Sequence, residues 1–401
     1  MPERIRPDTR TRTRAGVHPV FIRKDTDRSM AGIIRTPFHQ RIVIGVEIEA
    51  YSINVTDHKI GRRLSKPRPG LSESGERFTR DASIGSEYNS RPFTTIRESL
   101  FLLKAGLRKY LRGLYRSRED EQDYRVPLFV GGWTNRFAGT HMHISVANRK
   151  LTKQEARALS WHLHDQLPLL IATGANSPIW DKKVTGKASN RFLRGNATYF
   201  TPTKRGDLTS VDTRELVYSK GRKTKPPTLE IRVFDSNIPE FIVANLCLVK
   251  AVCLRWLRGE AAANRMSHTD YLLARTEAAT KGMNARLPWK REWIPAPDYL
   301  DQFLWEHREE FDAMDIPEEI YEVLRLLKRR YNGARLIHDA VALAIREHPQ
   351  TWQRRFAKRY RSGLGHLLSG NTLQDFAVEL EAPFPSTERV WLGRKRASID
   401  E

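Results

Sequence analysis

The chain has 401 residues, and hydrophobic residues make up 39% of them, which is enough to build a core and excludes a wholly disordered protein. Lys and Arg number 69 against 47 Asp and Glu, and the resulting net charge of +22 attracts polyanions at long range. The most apolar stretches, 167–175 and 242–254, fall short of the ~20 residues needed to span a bilayer, so the composition excludes membrane insertion.

The first 40 residues predict a basic arm, in which arginines alternate with polar residues. This region has no apolar segment typical of a secretory signal. Cys247 and Cys253 lie six positions apart in a predicted helix, ~240° apart around its axis, and this spacing does not favour a local disulfide. We therefore expect reduced, buried thiols and a cytoplasmic protein.

Strands dominate the next part of the chain. Arg41–Ile53 alternates between apolar and polar residues and predicts one strand, and residues 81–92 (DASIGSEYNSRP) predict a short strand with a turn. Leucines at helical spacing predict a helix over Ile96–Tyr115. The segments VPLFVGGW and THMHISVA, which flank a glycine-rich bend, predict two more strands.

Helices dominate the rest. Thr152 and Glu155 form a capping box that starts a helix running towards Thr173. A polar segment, Phe200–Pro227, precedes the last clear strand, TLEIRVFD (Thr228–Asp235). Beyond Pro239 the pattern predicts only helices, over 241–258, 318–331, 334–347 and 373–380. Early strands and late helices, without regular alternation, indicate an α+β fold with a mostly antiparallel sheet.

Two glutamates two positions apart are the first candidate for chemistry. Glu47 and Glu49 project from the same face of the predicted strand, and their charges repel each other unless a cation neutralises them. In isolation, two glutamates on a solvated strand face are the more common explanation of this pattern. Here the flanking residues are apolar, which raises the cost of an uncompensated pair.

Similar pairs occupy two other strands. His141 and His143 share one strand face and suit a metal or phosphate contact, although buried structural histidines are at least as common. Glu230 and Arg232 share another, which a cross-strand salt bridge would also explain. A fourth candidate consists of Asp81 and Glu87, which flank a turn beside Arg91.

Together these pairs predict a cation-binding cavity on one sheet. Oxygen-rich sites with an imidazole suit Mg²⁺ or Mn²⁺ better than Zn²⁺. Carboxylate-held Mg²⁺ beside arginines commonly positions nucleotide phosphates. The sequence contains neither a P-loop nor a Rossmann fingerprint, so neither motif would supply a nucleotide site.

The order of these motifs resembles the carboxylate–amine ligases of the glutamate–cysteine ligase and glutamine synthetase superfamily. GVEIEAYSI, DASIGSEYNSRP, GTHMHISV and TLEIRVFD carry the resemblance, and the stretch Ala175–Arg191 is its most specific element. The short motifs are also similar to those of the amidoligase branch. The resemblance covers Ile42–Leu287, and it departs from the family at Lys182-Lys183 and in the polar loop Thr201–Pro227.

The resemblance implies roles for particular residues. Glu47 and Glu49 would hold divalent cations on opposite sides of the nucleotide phosphates, and Glu87 would complete the site with Glu49. His141 would join Glu47 and Glu230 at the ion nearest the β,γ-phosphates. His143 would bind the nucleotide, Arg232 would act on the transferring γ-phosphoryl group, and Arg191 would bind a phosphate or the substrate carboxylate; Arg232 and Arg191 would both also contact the nucleotide. The catalytic residues would be Arg232, Arg191 and Glu49.

The resemblance also implies an activity and an architecture. The expected enzyme uses ATP and Mg²⁺ (or Mn²⁺) to join an amino-acid-like carboxylate to an amine through an acyl phosphate. The expected fold is a glutamine-synthetase-like curved, mostly antiparallel sheet with helices packed on its outer face. We expect a basic arm over 1–40, a catalytic domain over 41–290, and a helical part over 291–401 that packs on it, in a homo-oligomer.

Two other functions remain open at this stage. The charge of +22 and the isoelectric point near 10.1 suit a non-enzymatic nucleic-acid-binding protein, with basic runs at Arg354-Arg355, Lys358-Arg359 and Lys223–Lys225. The inward carboxylates favour the ligase. An amide hydrolase could use the same pocket, and the basic segments also suit a polyanionic acceptor such as an acidic peptide, protein or nucleic acid.

Overall fold

The strands fall into a six-stranded antiparallel sheet, a three-stranded sheet and two hairpins in the part of the chain that the computed structural model describes. The described residues are 36–62, 76–79, 84, 87–111, 124–195, 202–208, 214–222 and 225–393. The strands are β1 (Ile42–Glu49), β2 (Tyr51–Asn54), β3 (Ile60–Gly61), β4 (Arg77–Thr79), β5 (Glu87–Asn89), β6 (Arg125–Leu128), β7 (Gly139–Val146), β8 (Ile179–Trp180), β9 (Lys183–Val184), β10 (Leu216–Ser219), β11 (Thr228–Asp235), β12 (Arg286–Trp289) and β13 (Glu292–Pro295).

Helices make up most of the second half of the described chain. They are α1 (Ile96–Leu111), α2 (Lys153–His164), α3 (Leu167–Gly174), α4 (Asn190–Arg194), α5 (Pro239–Leu257), α6 (His268–Lys281), α7 (Ala296–Glu306), α8 (Arg308–Ala313), α9 (Glu318–Lys328), α10 (Gly333–Glu347), α11 (Trp352–Leu368) and α12 (Leu373–Glu379). Short 3-10 turns cover Phe38–Gln40 and Gly282–Asn284. The predicted α+β class is confirmed.

The large sheet has the order β10-β11-β7-β1-β5-β4, so β7 and β1 are central. Along β1 the apolar residues Ile42, Ile44, Val46 and Ile48 are buried, and they alternate with residues on the opposite face. Helices α2, α3 and α5 contact strands of this sheet, and nearly every residue of α5 is buried. One sheet face therefore belongs to the core, and the other is left for polar side chains.

Two predicted elements are each divided in two. The strand predicted over Arg41–Ile53 breaks at Ala50, where β1 ends and β2 begins in the three-stranded sheet with β3 and β6. The helix predicted from Thr152 towards Thr173 breaks between α2 and α3, although its capping box is present. Pro168 lies in the first turn of α3, where a residue without a backbone N–H is tolerated, and this favours a new helix start.

The expectation that only helices follow Pro239 is wrong, because β12 and β13 form a hairpin. Its turn residues, Lys290 and Arg291, both have positive φ values, 47° and 78°. Such turns usually contain Asn or Gly, and the absence of both removed the usual sequence signal. The polar segment before β11 likewise contains a strand, β10, which pairs with β11 at the sheet edge.

The C-terminal helices contribute to the same core as the strands. Phe356 of α11 stacks on Trp133 with ring centroids 5.3 Å apart, and the backbone N–H of Phe129 donates to the Tyr360 hydroxyl over 3.1 Å. The described residues from Thr36 onward form one compact unit, while the predicted arm lies largely outside the described residues. The domain boundary near residue 290 stays a prediction.

Two expectations from composition can be compared directly with the structure. Cys247 and Cys253 are both buried and free, as expected for reduced thiols. Among the described residues, no helix combines the length and apolarity needed to cross a bilayer.

The packing of α11 predicts a large effect of truncating Phe356, which is only 1% exposed. Phe356→Ala should lower the free energy of unfolding by about 3–5 kcal/mol, because it removes buried aromatic area and leaves a cavity. Phe101→Ala is the matched control, since Phe101 is 70% exposed, and it should change stability by less than about 0.5 kcal/mol. Urea titration followed by circular dichroism measures both; equal losses would contradict the packing of Phe356 in the core.

Candidate active site

Three adjacent strands place acidic and imidazole side chains on the polar face of the large sheet. Antiparallel pairing sets Glu47 of β1 opposite His141 of β7, and His143 of β7 opposite Glu230 of β11. Directly opposed residues share a sheet face, so these four side chains converge. The i,i+2 spacing in the sequence thus places the paired side chains on one sheet face, as expected.

The ligand-type atoms of this cluster lie close together. The Nε2 atom of His143 is 3.2 Å from a carboxylate oxygen of Glu47, and Nδ1 of His141 is 3.5 Å from Glu230 and 3.8 Å from Glu47. Glu47, His143 and Glu230 each offer an atom within 4.8 Å of the others. These three form the group with metal-site spacing found among the described residues. His141 lies beside them, and its expected role at the cation stays a prediction.

The two histidines of the cluster have different protonation tendencies. Burial, reinforced by the nearby charge of Arg232, lowers the pKa of His141 to about 4, so it is neutral near neutral pH. Burial also opposes the charge of His143, but its hydrogen bond to Glu47 and the charge of Glu230 outweigh it and raise the pKa of His143. Burial would raise the pKa of Glu47, but its contacts with both histidines hold that pKa well below the usual range.

Two basic side chains neutralise the carboxylates. The Nη1 atom of Arg232 donates to Glu230 over 2.5 Å, and the buried Nε of Arg232 has no hydrogen-bond partner among the described residues. Lys225, an exposed residue of the polar loop, places its Nζ 3.5 Å from Glu47. Thr228 lies 3.4 Å from Nδ1 of His143, and a proton shared there leaves Nε2 available as a ligand atom.

A second acidic pair lies towards the sheet edge. Glu49 of β1 is opposite Glu87 of β5. Glu49 is buried and accepts a 2.5 Å hydrogen bond from the backbone N–H of Gly139, while Glu87 accepts from Asn89 and Thr79. The pair is outside the three-residue group, and its expected role at a second cation stays a prediction. Asp81 lies outside the described residues.

Arg191 is held against the same strands from α4. Its Nη2 donates to the backbone carbonyl of Arg232 over 3.1 Å, so the two arginines lie side by side in the fold. A Cβ atom on Gly139 would come within 2.3 Å of the Arg191 guanidinium, and only glycine permits this close approach. The structure therefore brings Arg191 to the edge of the strands that carry Arg232 and Glu49.

A buried polar network fixes the position of Arg191. Asp235, at the end of β11, accepts hydrogen bonds from the hydroxyls of Ser177 (2.9 Å) and Ser189 (3.0 Å) and from the Asn176 N–H. Ser177 in turn accepts from the N–H of Arg191, and Ser189 caps α4. Burial raises the pKa of Asp235, against the opposing charge of Arg191.

Sequence reasoning missed two parts of this site. Asp235 lies three residues after Arg232, beyond a register shift between Ile231 and Phe234, so the i,i+2 pattern did not include it. The sequence did offer one signal, the polar pair Asn176-Ser177 in the otherwise apolar start of the Ala175–Arg191 motif. Buried polar residues need hydrogen-bond partners, and Asp235 is such a partner. Lys225 was identified only as part of a basic run suited to nucleic-acid binding.

The comparisons with known proteins agree with the resemblance. The model of glutamate-cysteine ligase family 2 (GCS2) matches residues 129–198, which include β7, α2, α3 and Arg191. A Rhodopirellula baltica protein, provisionally named glutamate–cysteine ligase 2, is 29% identical in an alignment 191 residues long that covers 41% of this chain and 50% of that protein. The chain thus spans about half the length of that curated relative.

Two solved structures share the fold. The ligase PafA, in its complex with prokaryotic ubiquitin-like protein Pup, aligns with a TM-score of 0.54 at 15% identity, over 86% of this chain and 80% of that one. A bifunctional glutathione synthetase from Pasteurella multocida aligns with a TM-score of 0.52 at 13% identity, over 86% of this chain and 52% of that one. The predicted resemblance to carboxylate–amine ligases is confirmed. At 13–15% sequence identity, the two solved structures show a shared fold only.

The raised pKa of His143 predicts that divalent cations compete with a proton for the cluster. Metal ligands must be deprotonated, so the affinity for Mn²⁺ should rise with pH through about 6.5 and above, where His143 loses its proton. His141, with a pKa of about 4, is already neutral there and should contribute no slope. Calorimetric titration at several pH values measures this dependence.

A histidine variant separates this effect from general surface titration. His143→Gln should flatten the pH dependence and weaken Mn²⁺ binding by about tenfold or more. His366→Gln, at an exposed position of α11, should leave both unchanged. Affinity that is independent of pH in the unaltered protein would contradict the prediction.

Proposed function

We propose that this protein is an ATP- and Mg²⁺-dependent (or Mn²⁺-dependent) ligase that joins a carboxylate to an amine in an amide bond. The observation that carries the proposal is the convergence of Glu47, His143 and Glu230 ligand atoms within 4.8 Å, beside the guanidinium of Arg232. The GCS2 match and the shared fold with PafA and glutathione synthetase support it.

The residues of the cluster fit a hard divalent cation. Two carboxylates and one imidazole suit Mg²⁺ or Mn²⁺, and the oxygen majority argues against a structural Zn²⁺ site. Glu47, His143 and Glu230 would hold the ion, with His141 beside them and with Glu49 and Glu87 proposed at a second one. A bound dication supplies charge neutralisation for nucleotide phosphate oxygens.

The arginines have distinct proposed tasks. Glu230 orients the Arg232 guanidinium, and the buried Nε of Arg232 is a spare donor for an oxygen of the transferring phosphoryl group. Arg191, positioned by the network around Asp235, would bind a phosphate or the substrate carboxylate. His143 lies on β7, between the strands that carry Glu47 and Glu230, and would contact the nucleotide phosphates or the cation. These placements favour transfer by positioning and charge stabilisation, without a covalent enzyme intermediate.

The proposed reaction has two steps. A carboxylate oxygen of the substrate attacks the γ-phosphorus of ATP, the bond to the β,γ-bridging oxygen breaks, and ADP leaves, so that an acyl phosphate forms. The amine nitrogen then attacks the acyl carbon, the carbon–oxygen bond to phosphate breaks, and inorganic phosphate and one proton leave. Each cycle therefore releases one ADP, one phosphate and one amide product.

The substrates can be narrowed to two classes. The curated relative is named for glutamate and cysteine, which predicts a small amino-acid pair. PafA is the ligase of the protein Pup, and the net charge of +22 suits an acidic protein or peptide acceptor. Phosphate release from ATP, measured with glutamate plus single amino acids and then with acidic peptides, distinguishes them. Amide hydrolysis without ATP would instead identify a hydrolase.

The carboxylates of the cluster should be essential for cation-dependent ATP binding. Glu47→Gln and Glu230→Gln each remove one of few anionic ligands, so each should weaken Mn²⁺-dependent ATP binding by about tenfold or more. Circular dichroism checks that each variant is folded. Glu381→Gln is the control, because the ion pair of Glu381 with Arg359 is exposed, and this variant should bind ATP as the unaltered protein does. The assignment fails if both variants turn over ATP at the normal rate.

Arg232 should affect the chemical step more than substrate binding. An interaction that strengthens in the transition state lowers kcat when it is removed, so Arg232→Lys should reduce kcat by about 100-fold or more. The KM for ATP should change by less than about threefold, since the ground state depends less on this contact. Steady-state kinetics with saturating Mg²⁺ measures both. A rise confined to KM would identify Arg232 as a ground-state phosphate clamp.

A further inference from the structure

A basic cleft lies away from the carboxylate cluster, with a volume of about 400 Å³. Its walls are the turn before α4, the end of α6 with the 3-10 turn that follows, and the segment from Arg330 into α10. None of the residues assigned to the candidate active site lines it. The cleft is therefore separate from the residues proposed to carry out the reaction.

The charges around the cleft are unbalanced. Lys187, Lys281, Arg330 and Arg335 line it, together with His338, and no carboxylate does so among the described residues. Lys281 pairs with Glu277, and Arg335 pairs with Asp339, which also contacts His338. The side chains of Lys187 and Arg330 have no ionic partner in the described part of the chain. These four permanent cations and the two carboxylates that pair with them leave a net charge of +2, without counting His338.

Arg330 occupies an unusual backbone position. It follows the C-terminal end of α9 with φ of 62°, in the left-handed region where helices most often place glycine. An arginine is disfavoured in this backbone conformation, and Arg330 lines the cleft. A residue that breaks a local structural rule often serves a site, and this one adds an unpaired charge to the cleft.

The walls of the cleft are tied together by hydrogen bonds. The backbone N–H of Ala188 donates to the Thr280 carbonyl over 3.1 Å, which joins the turn before α4 to the end of α6. The side-chain amide of Asn332 donates to the Ala172 carbonyl over 2.8 Å, and the N–H of Ala334 donates to Ala175 over 2.9 Å. A site with fixed walls costs little to organise when a ligand binds.

We propose that this cleft binds an organic dianion that carries phosphate or carboxylate groups. The net charge of +2 and the unpaired Lys187 and Arg330 require negative charge on the ligand. The apolar lining residues Pro178, Met283 and Ala334 offer contact to a carbon skeleton, and a volume of about 400 Å³ lies within the range of small-molecule sites. The proposal goes beyond the ligase function and does not depend on it.

Calorimetry with two probes tests the site and distinguishes the anionic groups. Succinate represents carboxylates and glycerol 3-phosphate represents phosphates, and each is titrated into the full chain after a chelating resin has removed divalent cations. At least one should bind with 1:1 stoichiometry at about 0.1 M salt, and the tighter probe identifies the preferred group. The proposal is overturned if neither binds more tightly than about 1 mM.

Matched variants locate the binding. Lys187→Gln combined with Arg330→Gln should weaken binding at least about tenfold, and Lys187→Gln alone should weaken it less. Lys182→Gln combined with Lys183→Gln removes the same charge from the neighbouring turn, outside the cleft, and should change the affinity by less than about twofold. Equal losses in the two double variants would mean that the effect is only general charge.

A last arm separates the cleft from the candidate active site. Glu230→Gln alters the carboxylate cluster and should leave probe binding unchanged if the cleft is the site. If Glu230→Gln changes the affinity while the cleft double variant does not, the probe occupies the candidate active site and the proposal is overturned. Because binding is measured without ATP or metal, failure of the ligase proposal would not affect this result.

Discussion

The alternation of side chains along β1, β7 and β11 determines both the stability and the chemistry of this protein. On one face, Ile44, Ile48 and Met142 pack into the core beneath the helices. On the other, the same pairing register brings Glu47, His143 and Glu230 together. A shift of one residue in either pairing would bury the charged groups and expose the apolar ones, so the buried face enforces the geometry of the polar face.

The protein's own cations offset part of the negative charge of the site. The charged form of His143 and the guanidinium of Arg232 offset the carboxylates, and Lys225 approaches Glu47 from an exposed loop. Arg232 and Lys225 differ in how readily they can move away from the carboxylates. Arg232 is fixed by a short hydrogen bond to Glu230, whereas Lys225 is solvent-exposed and loses little when another cation replaces it.

The sequence predicted those features that depend on local pattern. Residue spacing of two identified β7 and β11, and the Thr152–Glu155 capping box marked the start of α2. It did not predict the break at Ala50, because the apolar alternation continues across it while the chain passes into another sheet. The β12–β13 hairpin was not predicted because its turn residues are Lys290 and Arg291, whereas turns with positive φ values usually contain Asn or Gly.

Long-range features of the site also lay beyond local pattern. Residue types alone did not indicate which of His141 and His143 approaches Glu47 more closely, since both histidines share one face. The choice depends on the cross-strand register and on distances of a few tenths of an ångström. Asp235 escaped notice because its partners Ser177 and Ser189 come from a segment more than 40 positions away in the chain.

The missing side chains of two glycines limit how this site can change during evolution. A Cβ atom on Gly139 would collide with Arg191, and one on Gly131 would come within 2.6 Å of Asp235. Neither collision can be relieved cheaply, because both acidic and basic partners are buried and bonded. Single substitutions of these glycines are therefore expected to be rare. Relatives that accept different substrates are expected to differ in loops such as the one that carries Lys225.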